Sequence, residues 1–248
     1  MNEKEKERYQ RQLILPGWGE AAQDKLRRAV VFIAGAGGLG SPAALYLAAA
    51  GVGTLRICDS EKVELSNLNR QLLYTAEDVG QDKASAAGRN LTRLNPHVQV
   101  LPLSAHINDR SIAELAGDAV LILDCLDNFE TRFVLNRFAV QRSLPLIHAG
   151  VSGLSGQITF IHPPRTGCLA CLVPEAPAAG LFPILGATAG VLGSLQALEA
   201  CKYLTGGAVL KNRLLFFDGG PLEFQEVALE KNPACPVCGA GDAGDPGA

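Results

Sequence analysis

The sequence lacks the features that mark secreted and nucleic-acid-binding proteins. Its 22 basic residues do not outnumber its 25 acidic residues, and the net charge of −3 provides no generic attraction for nucleic acid or anionic lipid. No apolar stretch begins the chain, because residues 1–8 are almost all charged or polar, so no secretory signal is predicted. With 48% hydrophobic residues, the chain is too apolar for disorder to dominate. We therefore expect a globular cytoplasmic protein.

One segment, 176–198, has no charged residue and is long enough to cross a bilayer of about 30 Å. Pro177, Pro183 and several glycines interrupt it, and three polar side chains follow within the same segment. These features favour a buried or subunit-contacting helix over about 187–204, so no membrane span is predicted.

Short apolar runs alternate with helical patterns through the first 150 residues. This alternation predicts a mostly parallel, Rossmann-like sheet with helices on both faces, which is an α/β fold. The strands are expected at 29–34, 54–58, 98–103, 119–124 and 144–148, and the helices at 42–50, 82–94, 110–116 and 129–142.

The later part of the chain changes character. Strand-like runs at 157–162, 214–217 and 223–229 are joined by turns, which predicts an antiparallel extension of the same sheet. No internal repeat or linker divides the sequence, so residues 1–248 are expected to form a single domain. Its last residues, 239–248, are rich in Gly, Ala and Asp and are predicted to be a disordered tail.

A glycine-rich turn follows the first strand and opens a helix, in the pattern G-x-G-x-x-G. Glycines let the backbone approach a phosphate closely, and the helix N-terminus supplies N–H groups. Asp59 ends the next strand, where a carboxylate that binds ribose is expected. This pattern alone would favour NAD, so an NAD-dependent oxidoreductase is the first alternative function. The glycines of the pattern are Gly35, Gly37, Gly38 and Gly40.

Charged residues near the same edge of the sheet favour a nucleoside triphosphate instead. Arg70 lies just after the Asp59 strand, and Lys83 opens a helix whose dipole disfavours a cation. A triphosphate carries more negative charge than a dinucleotide pyrophosphate, so reaction at a phosphate needs such cations. Asp127 and Asn128 follow the next strand, and the Asp127 carboxylate is a candidate ligand for Mg²⁺ between phosphates. The alternative for Asp127 is a helix N-cap.

Two C-x-x-C pairs predict a metal site. Four thiolates at this spacing suit tetrahedral Zn²⁺ in a closed, structural site. The other three cysteines, Cys58, Cys125 and Cys201, lie in apolar contexts and are expected to be unreactive core residues. His148 lies at a strand end near the predicted nucleotide site, and we expect it to be a buried or rim histidine with satisfied hydrogen bonds. The paired cysteines are Cys168, Cys171, Cys235 and Cys238.

Together, these features resemble the ThiF/HesA/MoeB family, bacterial relatives of ubiquitin-activating enzymes. The resemblance rests on 8–12 (RYQRQ), the glycine turn, Asp59, 66–71 (SNLNRQ), Lys83, 124–128 (DCLDN), 193–200 (GSLQALEA) and the four cysteines. It covers nearly the whole chain, from about residue 8 to residue 238.

The resemblance implies an enzyme that uses ATP and Mg²⁺ to adenylate the C-terminal glycine of a ubiquitin-like sulfur-carrier protein ending in Gly-Gly. It further implies that Arg11 reaches the phosphates from the other subunit of a homodimer. Arg11, Arg70, Lys83 and Asp127 are then the catalytic residues. The other predicted contacts with the nucleotide are the four glycines, Asp59, Glu61, Ser66, Asn67 and Asn128.

Two departures from the family pattern refine this expectation. Where many relatives have Asp-x-Asp, this chain has Asp59-Ser60-Glu61, which is expected to alter metal or phosphate contacts slightly. Several relatives carry a cysteine in the loop that corresponds to 172–190, and this chain has none. We therefore expect the reaction to stop at the acyl-adenylate, with a separate sulfur donor acting afterwards in molybdopterin or thiamine biosynthesis. A module that binds a carrier without catalysis is the second alternative.

Overall fold

The computed structural model describes residues 1–176, 180 and 182–239. Eight strands and eight α-helices are described, together with 3₁₀ turns at Leu65–Asn67 and Ala76–Asp78. The strands are β1 (Val30–Ala34), β2 (Thr54–Cys58), β3 (Gln99–Leu103), β4 (Leu121–Asp124), β5 (Leu146–Ser152), β6 (Ser155–Ile161), β7 (Arg213–Asp218) and β8 (Glu223–Ala228). The helices are α1 (Glu3–Leu13), α2 (Gly19–Arg28), α3 (Gly40–Ala50), α4 (Lys83–Leu94), α5 (Ile112–Ala116), α6 (Phe129–Arg142), α7 (Leu169–Leu172) and α8 (Gly186–Thr205).

All eight strands join one sheet in the order β3-β2-β1-β4-β5-β6-β7-β8. The first five in this order run parallel, and β6, β7 and β8 each pair antiparallel with the strand before. This topology confirms the predicted α/β fold with an antiparallel C-terminal extension. The predicted strands and helices agree with the structure to within a few residues at their ends, except that β5 continues to Ser152.

The sheet separates two hydrophobic cores. One face packs against α3, α4 and α8, and the other against α5, α6 and α7. Helices cover both faces of the sheet at β1 and β4, so side chains on both faces of these strands are buried. Their sequences are therefore nearly continuous apolar runs. The order reverses at β1, since β2 leaves on one side and β4 on the other. A crevice therefore opens beyond the carboxyl ends of these strands, where ligands bind in sheets of this kind.

Two N-terminal helices, α1 and α2, were not predicted. Their residues are mostly charged, so neither has a long apolar run, yet a capping box between Asn2 and Glu5 starts α1. α1 packs at the amino-terminal edge of the sheet. There the Tyr9 hydroxyl accepts a hydrogen bond from Asn95 at 2.9 Å, and its ring fills the space beside Gly51.

Among the described residues, no helix is long and apolar enough to span a membrane. The predicted helix within the uncharged segment is confirmed as α8, whereas residues 177–179 and 181 lie outside the described residues. Residues 240–248 of the predicted tail also lie outside the described residues.

Candidate functional site

The carboxyl ends of β1, β2 and β4 bring most of the predicted site residues to one crevice. Gly35 follows β1 directly, Asp59 follows β2, and Cys125 follows β4. The segment after β2 folds back over the glycine turn, and the start of α8 closes the other side. Residues more than 60 positions apart in the sequence therefore meet at this edge.

Two of the four glycines are required by the fold of the turn itself. Gly35 has φ +93°, and a Cβ there would lie 2.7 Å from the Cys125 carbonyl oxygen. A Cβ on Gly40 would lie 2.0 Å from the Gly35 carbonyl oxygen. Gly37 and Gly38 are less constrained, because a Cβ on Gly37 would be 3.6 Å from the Gln71 side chain and one on Gly38 would be 3.3 Å from the Ala189 Cβ. The absent side chain of Gly37 leaves the turn open towards the crevice, whereas that of Gly38 lets the start of α8 approach closely.

The Asp59 carboxylate links the glycine turn to the segment that follows β2. Its Oδ2 accepts a hydrogen bond from the Ala36 N–H at 2.9 Å, and its Oδ1 accepts one from the Glu61 N–H at 2.9 Å. Burial raises the pKa of the Asp59 carboxyl, and these two hydrogen bonds act in the opposite direction. The Tyr74 hydroxyl donates to the Ala36 carbonyl at 2.9 Å, and sequence reasoning missed this residue. Both side chains hold the backbone around Ala36 in a fixed orientation.

Lys83 is a buried cation at this edge. It is the first residue of α4, only 3% exposed, and its Nζ lies 2.6 Å from Oε2 of Glu61, whose side chain is 68% exposed. The ion pair accounts for a lysine at a helix N-terminus, where the dipole opposes it. It also places Glu61 beside the predicted phosphate region, so two predicted site residues are in contact.

Arg70 belongs to a tight turn that presents its side chain to the glycine turn. Its Nη1 donates to the Ser66 carbonyl at 2.9 Å and to the Asn69 side chain at 3.0 Å. Asn67 is buried, and its Oδ1 accepts from the Glu64 N–H at 3.0 Å. Ser66 is exposed at the rim. These bonds hold the Arg70 guanidinium at the mouth of the crevice.

Gln71 points inward from the same turn. It is only 4% exposed, and its Oε1 has no hydrogen-bond partner within the described part of the chain.

Asp127 and Asn128 lie exposed on the loop between β4 and α6. The Asn128 side chain caps α6, because its Oδ1 accepts the Thr131 N–H at 2.9 Å. The N-cap alternative for Asp127 is therefore wrong, since its neighbour takes that role. The Asp127 carboxylate is exposed, and its Oδ1 accepts a hydrogen bond from the Asn128 side-chain amide at 3.5 Å.

Three buried polar side chains, Asp124, His148 and Arg132, support this loop, and of these only Arg132 was not singled out from the sequence. Asp124, the last residue of β4, lies 2.7 Å from Nδ1 of His148 and 3.5 Å from Nε of Arg132. Burial alone would raise the pKa of Asp124, but Arg132 and His148 outweigh it and hold the pKa below its ordinary value. Burial lowers the pKa of His148. The expected burial of His148 is confirmed, although its Nε2 has no partner among the described residues.

Arg11 does not join the crevice of its own chain. It is exposed in the last turn of α1, which packs beside Gly51 at the opposite edge of the sheet. α3 runs from the glycine turn to that edge, and its 11 residues span about 16 Å. Arg11 and the glycine turn therefore lie towards opposite ends of α3.

The four paired cysteines form one cluster away from the crevice. Their sulfur atoms all lie within 4.8 Å of one another, with 3.7 Å between Cys168 and Cys235 and 3.4 Å between Cys171 and Cys238. In tetrahedral zinc sites the Zn–S distance is about 2.3 Å, which puts sulfur atoms about 3.8 Å apart. The cluster thus fits a four-thiolate metal ion, and it ties the C-terminal segment to α7.

The other three cysteines are buried, as expected. Burial raises the pKa of Cys58 and of Cys201 to about 12 and also raises that of Cys125. These thiols are therefore protonated and unreactive at neutral pH.

Comparisons with known proteins find relatives over nearly the whole chain. The model of the ThiF family matches residues 9–237. The chain is 41% identical to the sulfur carrier protein ThiS adenylyltransferase of Escherichia coli K12, with 98% of this chain and 99% of the relative covered. It is 38% identical to the molybdopterin-synthase adenylyltransferase of the same organism, with 96% and 98% covered. The solved structure of E. coli MccB with ATP has a TM-score of 0.81 at 25% identity and covers 89% of this chain and 69% of that one.

Proposed function

This chain belongs to the ThiF family, and from that premise we propose that its crevice binds ATP with Mg²⁺ and adenylates the C-terminal glycine of a sulfur-carrier protein. It is an adenylyltransferase that acts on a ubiquitin-like sulfur carrier, as its full-length relatives do. The observation that supports the site assignment best is the meeting of a glycine turn, two cations and one exposed carboxylate at a single edge of the sheet.

The proposed reaction forms one P–O bond and breaks another. An oxygen of the carrier's terminal carboxylate attacks the α-phosphorus of ATP, and the bond between that phosphorus and the bridging oxygen of pyrophosphate breaks. The products are the acyl-adenylate and pyrophosphate. The attacking carboxylate is already ionised at pH 7, so the enzyme needs no general base.

The work of the protein is therefore positioning and neutralisation of charge. Gly37 and Gly38 would let the phosphates approach the turn, where backbone N–H groups face them. Asp59 would hold the turn and the ribose, while Arg70 and Lys83 would neutralise the phosphates. Asp127 would hold Mg²⁺, which supplies positive charge between phosphate oxygens when bound. Gly35 and Gly40 shape the turn, and Glu61, Ser66, Asn67 and Asn128 complete the pocket.

We further propose that the active form is a homodimer in which Arg11 reaches the phosphates of the partner's ATP. The position of α1 at the opposite edge of the sheet supports this proposal, because it keeps Arg11 from its own crevice. Ile14 and Leu15, which follow α1, are 68% and 49% exposed. Apolar side chains beside Arg11 suit a contact between subunits.

The cysteine cluster is proposed to hold structural Zn²⁺. All four positions are sulfur, so no coordination site remains for a substrate. The chain's other thiols are buried, and 172–190 contains no cysteine. The reaction is therefore proposed to end at the acyl-adenylate, with a separate protein supplying sulfur in a thiamine or molybdopterin pathway. Thiolate ligands also favour a reducing compartment, and we propose the cytoplasm. Residues 1–248 are proposed to act as one catalytic domain.

ATP–pyrophosphate exchange tests the proposal. The purified protein should incorporate labelled pyrophosphate into ATP only when Mg²⁺ and a carrier ending in Gly-Gly are both present. A carrier without its last glycine is the matched control and should give no exchange. Nucleotide binding without exchange on several carriers would favour a non-catalytic binding module. NAD-linked turnover without exchange would favour the oxidoreductase alternative.

A further inference from the structure

One face of α6 connects the candidate nucleotide site with the cysteine cluster. Arg132 and Asn136 are both buried on this face, and their spacing of four residues places them one helical turn apart. Arg132 Nη2 donates to the carbonyl oxygens of Leu126 and Ala149, the latter at 3.0 Å. Since Leu126 immediately precedes Asp127, Arg132 fixes the peptide that presents the Asp127 carboxylate.

Asn136 uses both ends of its amide at the other end of this face. It is fully buried, its Oδ1 accepts the Leu169 N–H at 2.8 Å, and its Nδ2 donates to Cys168 Sγ at 3.5 Å. Leu169 begins α7, so its N–H has no partner within that short helix. The Asn136 amide therefore joins α6 to the first cysteine pair by two hydrogen bonds.

Metal binding would strengthen this junction. A cysteine that ligates zinc is a thiolate, and hydrogen bonds to charged acceptors are stronger than those between neutral groups. Asparagine is the side chain that supplies both the donor and the acceptor in this geometry. Aspartate of the same shape can accept from Leu169, but it cannot donate to Cys168 and would place a negative charge beside the thiolates.

We propose that Asn136 is a positioning residue that links the metal cluster to the nucleotide site. Through Asn136, the metal-bound cluster holds α6, and through Arg132 and the Asn128 cap, α6 holds the loop that carries Asp127. This inference rests on the proposed function, because it assigns Mg²⁺ to Asp127. If bound zinc raises the affinity for Mg²⁺–nucleotide in this way, thermodynamic linkage requires that Mg²⁺–nucleotide raise the affinity for zinc by the same factor.

The test is the substitution Asn136→Asp, with two separate readouts. Zinc affinity, measured by competition with a coloured chelator, should fall by about 10- to 100-fold, the usual cost of losing a hydrogen bond to a metal ligand. The Mg²⁺ concentration for half-maximal pyrophosphate exchange should rise by about fivefold or more, a typical coupling between linked sites. Unchanged zinc affinity, or lost zinc affinity with an unchanged Mg²⁺ requirement, would overturn the proposal.

Asn95→Asp is the matched control for the zinc readout. Asn95 is also fully buried, and its Nδ2 donates to Tyr9 at 2.9 Å and to Ala48 at 2.7 Å, at the opposite edge of the sheet. This variant loses a comparable buried amide, so its zinc affinity should stay at the wild-type value. If Asn95→Asp loses zinc as readily as Asn136→Asp, general destabilisation explains the effect and the proposal fails.

A measurement on the wild-type protein keeps the proposal testable if Asn136→Asp does not fold. Zinc affinity should increase when Mg²⁺ and a non-hydrolysable ATP analogue are present at saturation, and equal affinities would overturn the link. The zinc readout needs no catalysis. If the wild-type protein shows no pyrophosphate exchange but Asn136→Asp still lowers the zinc affinity, the result counts against the proposed function. It does not count against the role of Asn136 at the cluster.

Discussion

Replacing Lys83 by Met separates a catalytic role from a structural one. Methionine keeps most of the buried aliphatic volume of Lys83 and removes its charge. The partner carboxylate of Glu61 is 68% exposed, so it stays hydrated when the ion pair is lost. An ion pair with one partner exposed contributes about 1 kcal/mol or less, and Lys83→Met also removes the cost of burying an ammonium group. The free energy of unfolding should therefore change by no more than about 1 kcal/mol.

The rate should respond much more strongly. Removing one fixed group that stabilises charge in the transition state costs about 10²- to 10³-fold in rate. Pyrophosphate exchange at saturating ATP and carrier should fall by that factor, while urea unfolding stays close to the wild-type curve.

Lys202→Met is a control for the loss of a lysine–glutamate ion pair away from the crevice, since Lys202 pairs with Glu199 on α8. Its exchange rate should equal that of the wild type. A Lys83→Met protein that folds and keeps its exchange rate within about threefold, less than the expected loss, would refute the assignment of Lys83 to the phosphates.

Four further predictions test other parts of the site. Gly40→Ala should destabilise the fold by about 1–3 kcal/mol or more in urea unfolding, because its Cβ would lie 2.0 Å from the Gly35 carbonyl oxygen. Gly37→Ala should fold normally and raise the KM for ATP. Equal stability of the two variants would contradict the assignment of a structural role to Gly40 alone. Asp127→Asn should leave stability unchanged, because the side chain is exposed, but should raise the Mg²⁺ requirement for exchange; an unchanged requirement would exclude Asp127 as a magnesium ligand. Inactive Arg11→Ala and Lys83→Met proteins, mixed and re-equilibrated, should recover about a quarter of wild-type exchange, since half of the random dimers have one intact site; no recovery would contradict catalysis across subunits. Burial lowers the pKa of His148, so the unfolded state binds the proton at a higher pH than the folded state does. The free energy of unfolding should therefore fall as the pH drops below about 6.5, by at most about 1.4 kcal/mol per pH unit. In urea titrations at pH 7 and pH 5, His148→Asn should flatten this slope, and an unchanged slope would show that His148 does not titrate on unfolding.

The predictable part of the structure is the part with local signals. The apolar runs before Gly35, Asp59 and Asp124 predict parallel strands, and the rule that ligands bind at their carboxyl ends brings these residues together. The cysteine spacing similarly predicts one cluster.

The unpredicted part depends on contacts between distant segments. Arg132 and Asn136 occupy a helix whose sequence shows no reason for buried polar groups, because their partners are main-chain and sulfur atoms of other segments. Tyr74 likewise acts on the glycine turn from 38 residues away. α1 escaped prediction because charged residues dominate it, and its position against Asn95 is a tertiary contact. Such positions carry no pattern that a single sequence reveals.

Intact-mass measurement of the carrier tests the central claim most directly. The protein is incubated with Mg²⁺, ATP and sulfur carriers of the thiamine and molybdopterin types, with pyrophosphatase added to remove the released pyrophosphate. A carrier ending in Gly-Gly should gain the mass of one AMP less one water, and with Lys83→Met the adduct should form about 10²- to 10³-fold more slowly. Carriers that keep their original mass while the protein binds ATP would contradict the account.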